Sequence, residues 1–163
     1  AANHQAYARL WRYLLDMDLV RTVEYDGAAV DEPLLSLVAD RRALACQVRD
    51  GIYVRLVDVP GALGLRRYAA PVDIVLDVTD EFCPWNTGRW QLRGGPDGAE
   101  CESTTAPADI AMSVRDLGAV YLGGVSLQAL ASAGFVRELT RGSVHRAAVA
   151  FGWPVAPGVP DDF

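Results

Sequence analysis

Side chains able to do chemistry are few in this 163-residue chain, and they are scattered along it. Cys46, Cys83 and Cys101 could pair as disulfides or bind zinc, yet they are odd in number, widely spaced and form no Cys-x-x-Cys pair. His4 and His145 are the only histidines, so neither a disulfide framework nor a zinc site has the spacing it needs. The better reading is three reduced, partly buried thiols in a cytosolic protein. A serine nucleophile would need a G-x-S-x-G elbow and a histidine with an acid partner, and neither is present. Both histidines fall in helical sequence and read as solvated or capping residues. The glycine-rich run at 94–98 (GGPDG) precedes a strand pattern, so the helix dipole that a phosphate loop uses is missing. Asp16 and Asp18 close the first helix at the end where the dipole disfavours acids. Trp85, between Pro84 and Asn86, reads as packing or surface. Residue by residue, no self-contained catalytic apparatus emerges.

The elements that would position such residues are regular. An amphipathic helix over 4–17 puts Tyr7, Leu10, Trp11, Leu14 and Leu15 on one face, with Asn3 as its cap. A strand is predicted over 19–25 and a turn at Asp26-Gly27. A short helix follows over 31–39, with Asp31 as N-cap and Pro33 in its first turn. Residues 43–48 and 52–57 read as paired strands across the turn Arg49-Asp50-Gly51. Pro60 opens a helix over 61–70, and Ile74, Leu76 and Val78 alternate as a strand. Residues 89–92 and 100–104 flank the glycine turn as a hairpin. Ile110, Met112 and Val114 alternate in a strand, after which Leu117, Val120 and Tyr121, then Leu127 and Leu130, take helical spacing. Gly123-Gly124 splits that run into two short helices. A last helix spans 142–151, and Pro154, Pro157 and Pro160 force an extended tail ending in Asp161-Asp162-Phe163. The pattern is α+β, a mainly antiparallel sheet covered by helices.

Composition bounds the rest. Hydrophobic content of 51% with 22% charged residues suits a globular core rather than disorder. The net charge of −6 comes with arginine as the sole basic residue beside histidine. It argues against nucleic acid and anionic membranes as partners, and it permits a polycationic ligand. The longest uncharged run, 117–135, is interrupted by four glycines and two serines and is no membrane span. Ala1 opens directly into helical sequence, without a signal peptide or an initiator Met, and a fragment of a longer protein is expected.

The strand–helix–glycine–helix–glycine order over 109–134 resembles the sterol carrier protein type 2-like fold. Further segments resemble the C-terminal part of the enhanced intracellular survival (Eis) family of bacterial acetyltransferases. They are 8–18 (ARLWRYLLDMD), 30–40 (VDEPLLSLVAD), 50–63 (DGIYVRLVDVPGAL), 117–124 (LGAVYLGG) and the terminal Phe163, in the family's order and spacing. The resemblance implies that residues 1–42 end a central GNAT-type domain and that 43–163 form a sterol carrier protein type 2-like domain. It implies N-acetyl transfer to amines such as those of aminoglycosides, with acetyl-CoA bound by an N-terminal part absent from this chain. Alone, the chain would then be inactive. In the family the partners are the protein's own N-terminal GNAT domains, and the full-length protein is expected to be a homo-oligomer in the cytoplasm.

By the same resemblance Phe163 is the catalytic candidate, because the family's terminal carboxylate serves as base for the substrate amine. A carboxylate can do this if it comes within hydrogen-bond reach of the ammonium. Asp162 matches the acidic penultimate position and Asp50 the acid of the Asp-Gly-aromatic turn, and both would bind a polycationic substrate. Without the resemblance, Asp50-Gly51 reads as an ordinary turn and the terminus as a frayed tail. The alternative reading is a stand-alone lipid- or sterol-binding module. The apolar helix pair over 117–133 suits it, whereas the first helix with Leu10-Trp11 does not.

Overall fold

The computed structural model describes residues 3–158, which gather into two compact units, one of residues 3–51 with Gly158 and one of residues 52–157. In the first, helix α1 (His4–Leu15) begins on Asn3, whose side-chain oxygen accepts the Gln5 N–H at 2.9 Å. Along α1, Tyr7 and Trp11 meet edge to face at 6.4 Å, and Trp11 meets Tyr25 at 5.6 Å. The Tyr7 hydroxyl donates to Glu32. No α1 residue is buried within the chain.

The predicted strand over 19–25 does not form. Leu19 takes a left-handed φ of 64° and the chain continues as turns and irregular backbone. Helix α2 covers only Leu34–Leu37, because Val38 turns extended, and Pro33 rather than Asp31 precedes it. The expected hairpin across 49–51 is also absent. Residues Arg41–Leu44 wind into a 3₁₀ turn capped by Asp40, Ala45 goes left-handed, and no ladder joins 43–48 to 52–57.

The second unit holds the sheet. Helix α3 (Val59–Leu65) starts on Asp58, whose carboxylate accepts the Gly61 N–H. Strands β1 (Val72–Thr79), β2 (Gly88–Gly95) and β3 (Gly98–Ser103) form a meander, with Pro96-Asp97 turning the second hairpin. Strand β4 (Ile110–Ser113) lies parallel to β1, pairing Leu76 with Ile110, and β5 (Val136–Glu138) pairs antiparallel with β4. The order is β3-β2-β1-β4-β5, a mostly antiparallel sheet in an α+β fold.

Period-2 alternation decides the faces. Ile74, Leu76, Val78, Leu92, Ile110 and Met112 point toward the helices and are buried. Asp73, Arg89, Arg93, Glu100, Glu102 and Arg137 point away and are exposed. Helices α4 (Val114–Tyr121), α5 (Leu127–Ser132) and α6 (Ser143–Phe151) cover the apolar face with α3. Leu117, Val120, Leu127, Ala147 and Phe151 fill the space between, with Tyr121 and Leu130 packed at the margin. At Gly118 the segment 54–55 passes so close that a Cβ would lie 2.5 Å from the Val54 carbonyl oxygen.

Candidate functional site

Two constructions in the second unit bear on the segments singled out by sequence. The first fixes the chain that follows Asp50-Gly51. Leu56 and Val59 are buried, yet the segment 54–59 is held by side chains rather than by a strand partner. Asn86, fully buried, accepts the Val59 N–H at 3.0 Å and donates to the Leu56 carbonyl at 3.2 Å. The Trp85 indole N–H donates to the Val57 carbonyl at 2.8 Å. Arg55 donates to the buried carboxylate of Asp80 at 2.6 Å and stacks over the exposed Phe82 ring at 5.2 Å.

Asp80 is the most constrained acid described. Its Oδ1 also accepts the N–H groups of Phe82 and Cys83, and its Oδ2 accepts from Asn86 at 3.0 Å. Burial by itself would raise its pKa; the Asn86 amide, the Cys83 N–H, the Arg55 guanidinium and the Phe82 N–H outweigh it and hold the carboxyl down at about 2. A buried carboxylate held by four donors is ionised at neutral pH and fixed in place. It anchors the loop rather than acting as a base. Sequence reasoning missed Asp80, Arg55 and Asn86, and the one signal was an acid placed just after a strand and ahead of a Pro-containing turn.

The second construction sets where the tail leaves the core. Helices α4 and α6 end side by side, and Arg66 reaches both ends, donating to the Val120 carbonyl at 3.5 Å and to the Phe151 carbonyl. Its guanidinium carbon stands 4.6 Å from the Phe151 ring centre, 5.0 Å from Tyr68 and 5.9 Å from Tyr121. Burial draws its pKa below the ordinary arginine value, against the pull of the two tyrosines. A cation at two helix C-termini satisfies carbonyls that the helices leave open and opposes their dipoles. Gly152 then turns extended with its N–H on the Ala148 carbonyl, and residues 152–157 run back past Gly123-Gly124.

Of the three site candidates, Asp50 is exposed in irregular backbone between the 3₁₀ turn and Gly51. Asp162 and Phe163 lie outside the described residues. The thiols differ in setting: Cys46 is exposed, Cys83 buried and Cys101 intermediate on β3. Burial, with the charges of Asp58 and Glu102, pushes the Cys101 thiol up to about 11, so it stays protonated and unreactive at neutral pH. The turn at 94–98 closes the β2–β3 hairpin and offers no helix N-terminus to a phosphate. Among the described residues no cluster of three His, Cys, Asp or Glu side chains has metal-binding geometry. Among them, too, no helix is long and apolar enough to cross a membrane.

Residues 59–160 match the sterol carrier protein domain family. The chain belongs to that family. Ahead of the sterol carrier protein domain, residues 1–56 match an acetyltransferase (GNAT) domain. An uncharacterized N-acetyltransferase of Streptomyces coelicolor is 52% identical over 156 residues, 96% of this chain and 38% of that protein. The N-acetyltransferase Eis of Mycobacterium tuberculosis is 34% identical over 155 residues, 93% of this chain and 37% of its own length. Among solved structures, Eis1 from Mycobacterium abscessus superposes over all of this chain and 41% of its own, with a TM-score of 0.83 and 35% identity. The chain spans about two fifths of the length of the relatives it matches. The Eis-like resemblance carried by the motifs is thus shown, and so is the sterol carrier protein fold.

Proposed function

We propose that this chain is the C-terminal region of an acetyl-CoA-dependent N-acetyltransferase, acting on amines of the aminoglycoside kind. The observation that carries the reading is the alignment of nearly the whole chain with N-acetyltransferases, at up to 52% identity. In this reading acetyl-CoA is held by an upstream acetyltransferase segment, and residues 1–42 complete that segment's last domain. The sterol carrier protein domain is a scaffold that brings the chain terminus to the reacting amine. The terminal carboxylate of Phe163 takes the proton from the substrate ammonium, freeing a nitrogen lone pair for attack on the thioester carbonyl. Asp50 and Asp162 supply negative charge for a polycationic acceptor. The packed face between sheet and helices also favours a scaffold over a lipid carrier, since Leu76, Leu117, Leu127 and Phe151 occupy the space an acyl chain would need.

The test is to extend the chain by one glycine after Phe163 in the protein with its upstream segment. The carboxylate then moves by up to ~3.5 Å along the chain, beyond hydrogen-bond reach of its former proton donor. kcat should fall at least tenfold, with unchanged thermal stability. Unaltered kinetics in the extended protein would remove the terminal carboxylate from the mechanism.

A further inference from the structure

We infer that Gly124 is a positioning residue for the reaction, because it seats the C-terminal tail against the end of the α4–α5 connection. The inference rests on the terminal-carboxylate reading above. The tail leaves α6 at Gly152 and doubles back, so that a Cβ on Gly124 would stand 2.7 Å from Pro157 Cγ and 2.9 Å from its Cδ. At the neighbouring Gly123 a Cβ would meet the Phe151 carbonyl oxygen at 3.0 Å and Trp153 Cβ at 3.1 Å. The glycine pair therefore does more than end α4. Two successive missing side chains leave a shelf on which Trp153 and Pro157 lie, at two points four residues apart.

The two glycines are not equivalent. Gly123 adopts φ of +81°, which disfavours any side chain whatever the space around it. Gly124 shows no positive φ, so an alanine there fits the backbone and fails only against the proline ring. Carbon atoms settle about 3.5–4.0 Å apart, so a methyl on Gly124 would drive Pro157 away by about 1 Å. On the upstream side little slack is available to absorb that shift. The ring of Pro157 fixes its own φ. Upstream, the tail is tethered through the Phe151 carbonyl to Arg66 and through the Gly152 N–H to Ala148. A base displaced by about 1 Å loses on the order of 10²-fold in rate when the reaction depends on its alignment.

The experiment uses the protein with its upstream segment and four forms: native, Gly124→Ala, Pro157→Ala and the double variant. Three quantities are read: kcat and KM for an aminoglycoside acceptor, hydrogen exchange of the peptide spanning 152–163, and the melting temperature. Gly124→Ala should speed exchange in that peptide and lower kcat at least tenfold, with the melting temperature nearly unchanged. Pro157→Ala removes both atoms that the methyl would strike, so adding Gly124→Ala to it should change kcat by less than twofold. Equal losses from Gly124→Ala in both backgrounds would overturn the seat, since independent sites add. Unchanged tail exchange in Gly124→Ala would overturn it as well. Faster exchange with native kcat would overturn the positioning role. The glycine extension after Phe163 then tells the two failures apart. If the extension is damaging where Gly124→Ala is not, the seat is wrong and the carboxylate stands; if both are harmless, the carboxylate reading itself has failed.

Discussion

Replacing Asn86 tests the claim that the loop after β1 anchors the segment following Asp50-Gly51. The side chain is fully buried, and its three hydrogen bonds go to the Val59 N–H, the Leu56 carbonyl and Asp80. Asn86→Ala removes all three. Val59 and Leu56 are themselves buried, so their backbone groups lose a partner where water does not replace it. Each such group costs about 1–3 kcal/mol, giving roughly 2–6 kcal/mol for the pair. Against a usual folding free energy of about 5–15 kcal/mol, that is a large share.

Asn86→Asp separates hydrogen bonding from charge. It keeps an acceptor for Val59 but sets a second carboxylate at the 3.0 Å position beside Asp80. Two carboxylates that close cannot both stay ionised, so the pair takes up a proton and its folded pKa rises. A group raised in this way contributes stability below its unfolded pKa and loses it as pH climbs through the folded value. The native protein behaves oppositely: Asp80, held at about 2, contributes fully above the ordinary 3.8 and loses that contribution as pH falls toward 2. The deficit of Asn86→Asp relative to native should therefore shrink between pH 7 and about pH 4, while that of Asn86→Ala stays nearly constant. Urea unfolding at several pH values would be followed by tryptophan fluorescence, to which Trp90 contributes, its indole N–H donating to the Asn86 carbonyl at 2.9 Å. A loss below about 1 kcal/mol in Asn86→Ala would refute the anchoring role. So would an Asn86→Asp deficit that grows on acidification.

Two further outcomes follow from the packing. Leu117 is fully buried between sheet and helices, so Leu117→Ala should cost about 2–5 kcal/mol, read as a lowered urea midpoint; a near-neutral result would mean a loosely filled core. The same filled core predicts that no fatty acid or sterol co-purifies stoichiometrically with the protein, checked by mass spectrometry of the extracted material, and a bound lipid would favour the carrier reading.

How much of the fold was legible depended on whether a segment's partner was local. Strands β1 and β4, the β2–β3 hairpin and helices α4 and α6 showed in the sequence because alternation, glycine turns and helical spacing are properties of neighbouring residues. The segment 52–57 shows the limit. It was read as a paired strand, and Leu56 is buried where Arg55 and Val57 are not, but such a pattern says only that one side is covered. The cover is the side chains of Asn86 and Trp85, about thirty residues away, rather than a paired strand. Strand β5, three residues long, is too short to display a period at all.

The site divides in the same way. Residue types and order in the sequence were enough to establish the Eis-like resemblance and, through it, to propose Phe163, Asp162 and Asp50. Sequence also marked Gly123-Gly124 as a break between helices, because missing side chains destabilise a helix wherever it lies. Only the tertiary structure showed that the same gap receives Pro157, which follows Gly124 by 33 positions, and that Arg66 ties together the ends of α4 and α6. It alone showed Asp80 to be an anchored carboxylate rather than a reactive one. Propensity and periodicity act between near neighbours, whereas steric fit and the state of a buried charge are set by whatever the folded chain brings within a few ångströms.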